Sequence, residues 1–251
     1  MKNHFFFSYW GNKRNEVETI HEALKGNFKN ITTIVEPFCG SSAFSFYIAS
    51  LYPGRFKYIL NDNNKYLIEL YTIAQSPQKF ENLVERLRKL LHNINKEKYL
   101  SIIKHDNLDG YIISNYIYAI RAGLFPNKGK IKPIDGFINA PIIQFLRNEN
   151  VKITNNDALH CYETYKTSKN NLIFLDPPYV MLNNDFYANA TLNIYEYLHH
   201  HSIKKEKAFI VLVLEWSWII QLLFKDCKIS TYDKTYQTTK KKTTHAIISN
   251  K

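Results

Sequence analysis

The chain reads as an α/β protein: a largely parallel sheet interrupted by a mostly helical insertion. Three observations predict this. Short apolar, β-branched runs bounded by turn residues recur along the chain. Helical patterns lie between several of them, as parallel strands require. One stretch in the middle departs from the alternation and repeats apolar residues at helical spacing instead.

The predicted strands are Thr33–Pro37, Lys57–Leu60, Val151–Thr154, Asn171–Leu175, Ala208–Leu214, Lys228–Tyr232 and Thr244–Ser249. The departing stretch runs from about Pro77 to Glu149. Within it, Phe80 to Leu91 has helical periodicity, Tyr111 to Ile120 can form another helix, and Gly123-Leu-Phe-Pro-Asn-Lys-Gly-Lys130 is a turn-rich basic loop. The expected organisation is a core of residues 1–76 and 150–251 with an insertion at 77–149. No internal repeat or low-complexity linker breaks the chain.

At 251 residues and 45% hydrophobic content, the chain has material for a full core. No apolar run approaches the roughly 20 residues that span a bilayer. The opening Phe5-Phe6-Phe7 stretch is short for a signal peptide and lacks a small-residue cleavage site, so an intracellular location, cytoplasm or nucleus, is expected. The three cysteines, Cys39, Cys161 and Cys227, are far apart and read as reduced thiols, not as a disulfide or zinc framework. His199-His200-His201 fall on different faces of a helix and would not converge on one ion. No metal and no membrane partner are expected.

The formal charge is +11, from 33 basic and 22 acidic side chains. That excess suits a polyanion, since each phosphate neutralised by Lys or Arg releases condensed counterions. Two basic sets are candidates for phosphate contact: Arg121, Lys128, Lys130 and Lys132 beside the insertion loop, and Lys240, Lys241 and Lys242 at a hairpin tip between the last two strands. A purely solvated tip fits the second set equally well. Trp216 and Trp218, after the fifth strand, read as packing residues.

Three constellations carry chemistry. In Val35-Glu-Pro-Phe-Cys-Gly-Ser-Ser42 a β-run ends in a glycine turn before a helical pattern. The glycine permits close approach of a ligand and the helix start offers free N–H groups, although an ordinary strand–turn–helix corner has the same pattern. Asp62 ends the next strand about 20 residues later, where a carboxylate can accept hydrogen bonds from ribose hydroxyls; a solvated turn aspartate is the other reading. Asp176-Pro177-Pro178-Tyr179 is the most specific. The prolines stiffen the loop and leave its carbonyls available. An aromatic amine is a poor nucleophile because its lone pair is delocalised. A carboxylate and a carbonyl accepting its two hydrogens stabilise the positive charge that grows as the nitrogen attacks a methyl group. Tyr179 supplies a face on which a base can stack.

Together these residues resemble the DNA adenine methylase family of N6-adenine methyltransferases. Ser8-Tyr-Trp-Gly-Asn-Lys-Arg14 is similar to its opening cofactor motif, Pro37-Phe-Cys-Gly-Ser-Ser42 to its Pro-Phe-x-Gly-x-Gly loop, and Leu60-Asn-Asp-Asn-Asn64 with Leu67, Ile68 and Tyr71 to its ribose-binding strand and helix. Val151–Asp157 resembles the strand whose Asp contacts the cofactor adenine, Asp176–Tyr179 the catalytic motif, and Thr244–Asn250 the last strand. The resemblance implies a Rossmann-like methyltransferase sheet with a target-recognition insertion, and S-adenosylmethionine as donor without a metal. It implies Tyr9, Trp10, Lys13, Glu36, Phe38, Gly40, Asp62 and Asp157 at the cofactor, and Asp176, Pro177, Pro178 and Tyr179 as catalytic. Asp176 points to adenine N6 over cytosine N4, where related enzymes carry Ser or Thr. The expected substrate is adenine in double-stranded DNA, read sequence-specifically with base flipping. RNA adenine, and a non-catalytic nucleic-acid-binding role, are the alternatives. Ser42 departs from the family's second glycine. A requirement there for positive φ or a bare Cα would weaken cofactor binding.

Overall fold

Seven strands form one sheet in the order β3-β2-β1-β4-β5-β7-β6. They are β1 (Thr33–Glu36), β2 (Lys57–Asn61), β3 (Val151–Thr154), β4 (Asn171–Leu175), β5 (Phe209–Glu215), β6 (Lys228–Thr235) and β7 (Lys242–Ser249). The computed structural model describes residues 4–7, 9, 11–118, 134–178, 198, 203–235 and 242–251, with the side chains of 116–118 left aside. The first five strands pair in parallel, while β7 runs antiparallel between β5 and β6. This is the Rossmann-like methyltransferase sheet the motifs imply. All seven predicted strands are present. The bounds of β3 and β4 agree, those of β1, β2 and β5 differ by one residue, and β6 and β7 are longer by three and two because they pair with each other well past β5.

Both faces of the sheet are covered, so the central strands are apolar throughout instead of alternating with polar residues. Every residue of β4 is buried. Leu172 and Phe174 enter one core with Ile34, Tyr58, Leu60, Phe209, Val211 and Val213. Ile173 and Leu175 enter the other with Val35, Ile59, Ile210, Leu212 and Leu214. The period-2 alternation of side chains explains that division. Phe5, Phe6 and Phe7 pack into the first core, so the opening apolar run is structural.

Helices α1 (Val17–Leu24), α2 (Ala43–Leu51) and α3 (Lys65–Gln75) precede the midsection. Helices α4 (Pro77–Leu91), α5 (Lys96–Lys104), α6 (Leu108–Tyr118), α7 (Asp135–Ile138) and α8 (Ile142–Leu146) fill its described part. Ser76 caps α4, with Pro77 in the first turn, where its missing N–H costs nothing. Phe80, Leu83, Val84 and Leu87 are the buried stripe of α4, and they join the same apolar cluster as α2 and α3. The basic loop 123–130 lies outside the described residues. No helix among the described residues is long and apolar enough to cross a membrane.

Parallel β1 and β4 lie side by side although two strands intervene in the sequence. Beyond β1 the chain moves outward to β2 and β3, and beyond β4 it moves the other way. This reversal opens a crevice at the carboxyl ends of β1 and β4. Pro37–Ser42 and Asp176–Pro178 both leave the sheet there.

Candidate active site

Glu36 ends β1 fully buried. Its Oε1 accepts the Ser45 N–H at 2.8 Å, one of the unpaired donors of the first turn of α2. Burial, chiefly, pushes its carboxyl up to about 8, with the charge of Asp176 adding to the effect against the Ser45 bond. Glu36 is therefore mostly protonated at neutral pH.

The turn that follows is left-handed at Gly40 and again at Ser42. Gly40 has φ +45°, and a Cβ added there would stand 2.9 Å from Cε1 of Tyr9. The absent side chain is what lets the Tyr9 ring lie on the turn. Ser42 has φ 51° and ψ 33° and is buried, so it adopts the conformation that a glycine occupies without strain. For an L-residue this costs about 1–2 kcal/mol. Its N–H donates to the Cys39 carbonyl at 2.6 Å, and its carbonyl accepts from Phe46 N–H at 2.9 Å. The serine thus takes the turn geometry despite its Cβ. Tyr71 reaches across from α3 and donates to the Gly40 carbonyl at 2.5 Å. Phe38, half-buried, packs against the second core.

Asp62, just past β2, ties two turns together. One carboxylate oxygen accepts the Gly40 N–H and the other the Asn64 N–H, each at 3.0 Å. Burial raises its pKa, opposed by these backbone bonds. Asn64 in turn caps α3. Asp157 is exposed, and its Oδ1 caps α9 (Ala158–Tyr165) by accepting from Leu159 and His160 N–H.

Asn61 was not anticipated from sequence. Fully buried at the end of β2, it donates to the carbonyls of Pro37 and Asn156, both at 3.0 Å. It accepts from the Thr154 hydroxyl and Asn156 N–H, both at 2.9 Å. One amide therefore clamps the chain exits of β1, β2 and β3. Asn61→Ala strands these partners in a buried place, at about 1–3 kcal/mol per unsatisfied group. We expect a loss of about 3 kcal/mol or more, measurable by urea melts. A change under about 1 kcal/mol would show that water replaces the amide.

At the end of β4, Asp176 meets Lys13. The Lys13 ammonium lies 2.7 Å from Oδ2 and 2.6 Å from Oδ1. The resemblance implies Lys13 at the cofactor; the structure places its amine on the Asp176 carboxylate. Burial pulls the Lys13 ammonium down, but the carboxylates of Asp176 and Glu16 more than compensate and hold it protonated. Burial raises Asp176, and the Lys13 charge and hydrogen bond pull against that rise. Pro177 is buried and Pro178 half-buried.

Glu16 and His245, both buried, form a second polar group with the half-buried Tyr232 and Lys234, also unanticipated. Nothing in the spacing marks Glu16, which is drawn in by tertiary contacts alone. Tyr232 OH donates to Glu16 at 2.6 Å, Lys234 Nζ lies 2.6 Å from Oε1, and His245 Nδ1 lies 3.2 Å from Oε2.

The geometry thus gathers Tyr9, Lys13, Glu36, Gly40, Asp62 and Asp176 with Pro177 around the β1–β4 crevice. Trp10, Tyr179, Arg121, Lys128, Lys130, Lys132, Lys240 and Lys241 lie outside the described residues, as do His199–His201. Lys242 is exposed at the start of β7, opposite Thr235. The packing expected of Trp216 and Trp218 is not found: they are 40% and 69% exposed. The helix Trp218–Leu223 buries none of its residues. Ile220 and Leu223 are the side chains it packs, partly buried, against the second core, while Trp218 stays exposed and Trp216 precedes the helix. No group of three or more described His, Cys, Asp or Glu residues is arranged to hold a metal.

Residues 9–125 match the family of D12 class N6 adenine-specific DNA methyltransferases. The match bears out the resemblance read from the motifs and spans the Tyr9–Lys13 segment, the glycine turn, Asp62 and the first helices of the midsection. The Asp176 loop lies beyond the D12 match, at the position in the sheet just described. No curated protein matches the chain. Solved structures similar to it include precorrin-6y C5,15-methyltransferase of Geobacter metallireducens, at 10% identity, TM-score 0.37, 92% of this chain and 86% of that one. The N-terminal domain of human METTL16 in complex with SAH is another, at 8% identity, TM-score 0.38, 94% and 68%. The rRNA methyltransferase AviRa of Streptomyces viridochromogenes has 15% identity, TM-score 0.41, 94% and 83%.

Proposed function

We propose that the chain transfers a methyl group from S-adenosylmethionine to the N6 amine of adenine in double-stranded DNA, sequence-specifically and with the base turned out of the helix. The observation that carries this reading is the pairing of a half-buried acidic acceptor, Asp176, with the glycine turn at one crevice of a methyltransferase sheet in a chain that matches the D12 family.

The residues fit the cofactor by their chemistry. Gly40 offers a bare Cα beneath an aromatic ring, Asp62 has lone pairs for ribose hydroxyls beyond those its backbone bonds use, and Glu36 is a buried acid at the crevice floor. Tyr9, Trp10, Phe38 and Asp157 complete the proposed set, with Lys13 bridging to the catalytic loop. S-adenosylmethionine supplies an electrophilic methyl group when bound. Asp176 and the Pro177 carbonyl accept the two hydrogens of the target amine and stabilise its growing positive charge. The Lys13 ammonium on Asp176 opposes the rise that burial gives its pKa and favours the carboxylate, the form that acts as an acceptor. Tyr179 stacks on the extruded base, at about 1–3 kcal/mol per base, against a flipping cost of a few kcal/mol. Arg121, Lys128, Lys130 and Lys240–Lys242 are the proposed phosphate contacts, and residues 77–149 the recognition insertion.

The test is incubation with methyl-labelled S-adenosylmethionine and either duplex DNA or structured RNA at matched salt, followed by digestion and identification of the modified nucleoside. Labelled N6-methyladenine from DNA is expected. Label on cytosine, or on RNA alone, overturns the reading. The cofactor half has its own check. Gly40→Ala forces a Cβ against Tyr9 at a positive φ, so donor affinity by calorimetry should fall about tenfold and stability by about 1–2 kcal/mol. Unchanged affinity would remove the turn from the cofactor site.

A further inference from the structure

His4 is 1% exposed and joins the glycine turn to the helical midsection. Its ring Nε2 lies 2.9 Å from the Ser41 carbonyl. A carbonyl can only accept, so Nε2 carries the hydrogen. The Ser41 carbonyl is open to it because the usual helical partner, the Ser45 N–H, goes to Glu36 instead. The main-chain carbonyl of His4 accepts the Ile142 N–H at 2.9 Å, at the start of α8. Its ring stacks on Phe46 of α2, with centroids 4.8 Å apart and 21° between the planes. Burial, chiefly, lowers the His4 pKa against the Ser41 bond, and the Arg14 charge adds to the fall, so the neutral ring is favoured.

The Ser41 carbonyl and the Ser42 N–H belong to one planar peptide unit. His4 holds its oxygen, and the Cys39 carbonyl accepts its N–H at 2.6 Å. Ser42, at φ 51°, carries a Cβ in the left-handed region, where a glycine would be unstrained. Rotating the 41–42 unit is the direct way for Ser42 to leave that region. With both polar groups of the unit held among buried residues, the rotation would strand them. We propose that His4 is a positioning residue for S-adenosylmethionine: through the Ser41 carbonyl it locks the 41–42 peptide, and with it the glycine turn, in the form that receives the methyl donor. Phe46 and Ile142 fix His4 in turn, so the hold on the turn is anchored in α2 and α8. This rests on the reading of the turn as the S-adenosylmethionine site. A turn that leaves its competent form binds more weakly in proportion to the time it is away.

His4→Phe keeps an aromatic ring against Phe46 and removes the N–H. Its dissociation constant for S-adenosylmethionine, by calorimetry, should rise about tenfold and KM with it, while kcat at saturating S-adenosylmethionine stays within about threefold. His4→Gln gives up the ring but keeps an N–H the same number of bonds from Cα, and should bind within about threefold of the parent. A packing role alone predicts the opposite order, with glutamine the weaker. Glutamine binding no tighter than phenylalanine, or phenylalanine binding like the parent, overturns the proposal. Should His4→Phe not fold, the comparison of parent with His4→Gln stands, and 15N NMR of the histidine-labelled parent reads the contact directly. The hydrogen of the His4 ring is expected on Nε2, and a hydrogen on Nδ1 overturns the proposal. A parent that binds no S-adenosylmethionine overturns the reading of the turn, and this role with it; a parent that binds, with His4→Phe its equal, overturns the role of His4 alone.

Discussion

Asp176→Asn should lower kcat by on the order of 10²–10³-fold while donor affinity stays within about threefold of the parent. The amide preserves the shape of the side chain and one acceptor oxygen for Lys13. What it loses is the negative charge, and it turns an NH2 donor toward an amine that is itself a donor. Both changes act on the transferring nitrogen, where charge develops, and leave the glycine turn and Asp62 untouched. Asp176→Ala should abolish transfer as well, but with a second effect. It leaves the Lys13 ammonium, 4% exposed, without its closest carboxylate. Breaking a buried ion pair from one side costs about 3–5 kcal/mol, so the alanine variant should melt well below the parent. The asparagine variant is the cleaner instrument. Single-turnover rates and calorimetric titration of the donor separate the two effects. If binding and turnover fall together in Asp176→Asn, the residue organises the cofactor site and is not the amine acceptor.

Much of this arrangement was legible in the residue order. The strands declared themselves because a doubly covered sheet needs continuous apolar runs, such as Leu172–Leu175 and Phe209–Leu214, which few other structures require. The turn at Gly40 and the loop at Asp176 could be read because each combines a backbone constraint with a chemical group at a strand end. Asn61, Glu16 and Lys234 were not readable in this way. Their roles depend on partners 95, 216 and 218 residues away (Asn156 for Asn61, Tyr232 for Glu16 and Glu16 for Lys234), and no local pattern records such pairings. Lys13 was recognised as a site residue, yet its partner emerges only when the N-terminal turn is folded over β4. Trp216 and Trp218 failed for the opposite reason: large aromatics usually mean core, but the short helix after β5 packs Ile220 and Leu223 on the second core and leaves both tryptophans exposed.

Glu36 should make the protein less stable as the pH rises. Its folded pKa of about 8 lies above the ordinary 4.5, so between these values the unfolded chain has released a proton that the folded chain retains. The unfolded state binds fewer protons, and the slope of stability with pH is negative across that window. Below about 4.5 both states are protonated and nothing is lost; above about 8 both are ionised and the full cost, about 5 kcal/mol, is present. Glu36→Gln keeps an oxygen for the Ser45 N–H and removes the charge. Its stability should match the parent at pH 4 and exceed it by several kcal/mol at pH 8.5, which urea melts across the range would show. Parallel curves for the two proteins would mean that Glu36 titrates normally in the fold. The same proton bears on the donor. S-adenosylmethionine carries a sulfonium and an ammonium, and a cation brought to the crevice floor favours the ionised carboxylate. Donor binding to the parent should therefore release a proton at neutral pH, seen as a dependence of calorimetric heat on the ionisation enthalpy of the buffer, and its affinity should rise toward pH 8. In Glu36→Gln both dependences should disappear. A buried acid that weakens the empty protein would then be the group that the positively charged donor recharges, which gives the cost of burying it a use.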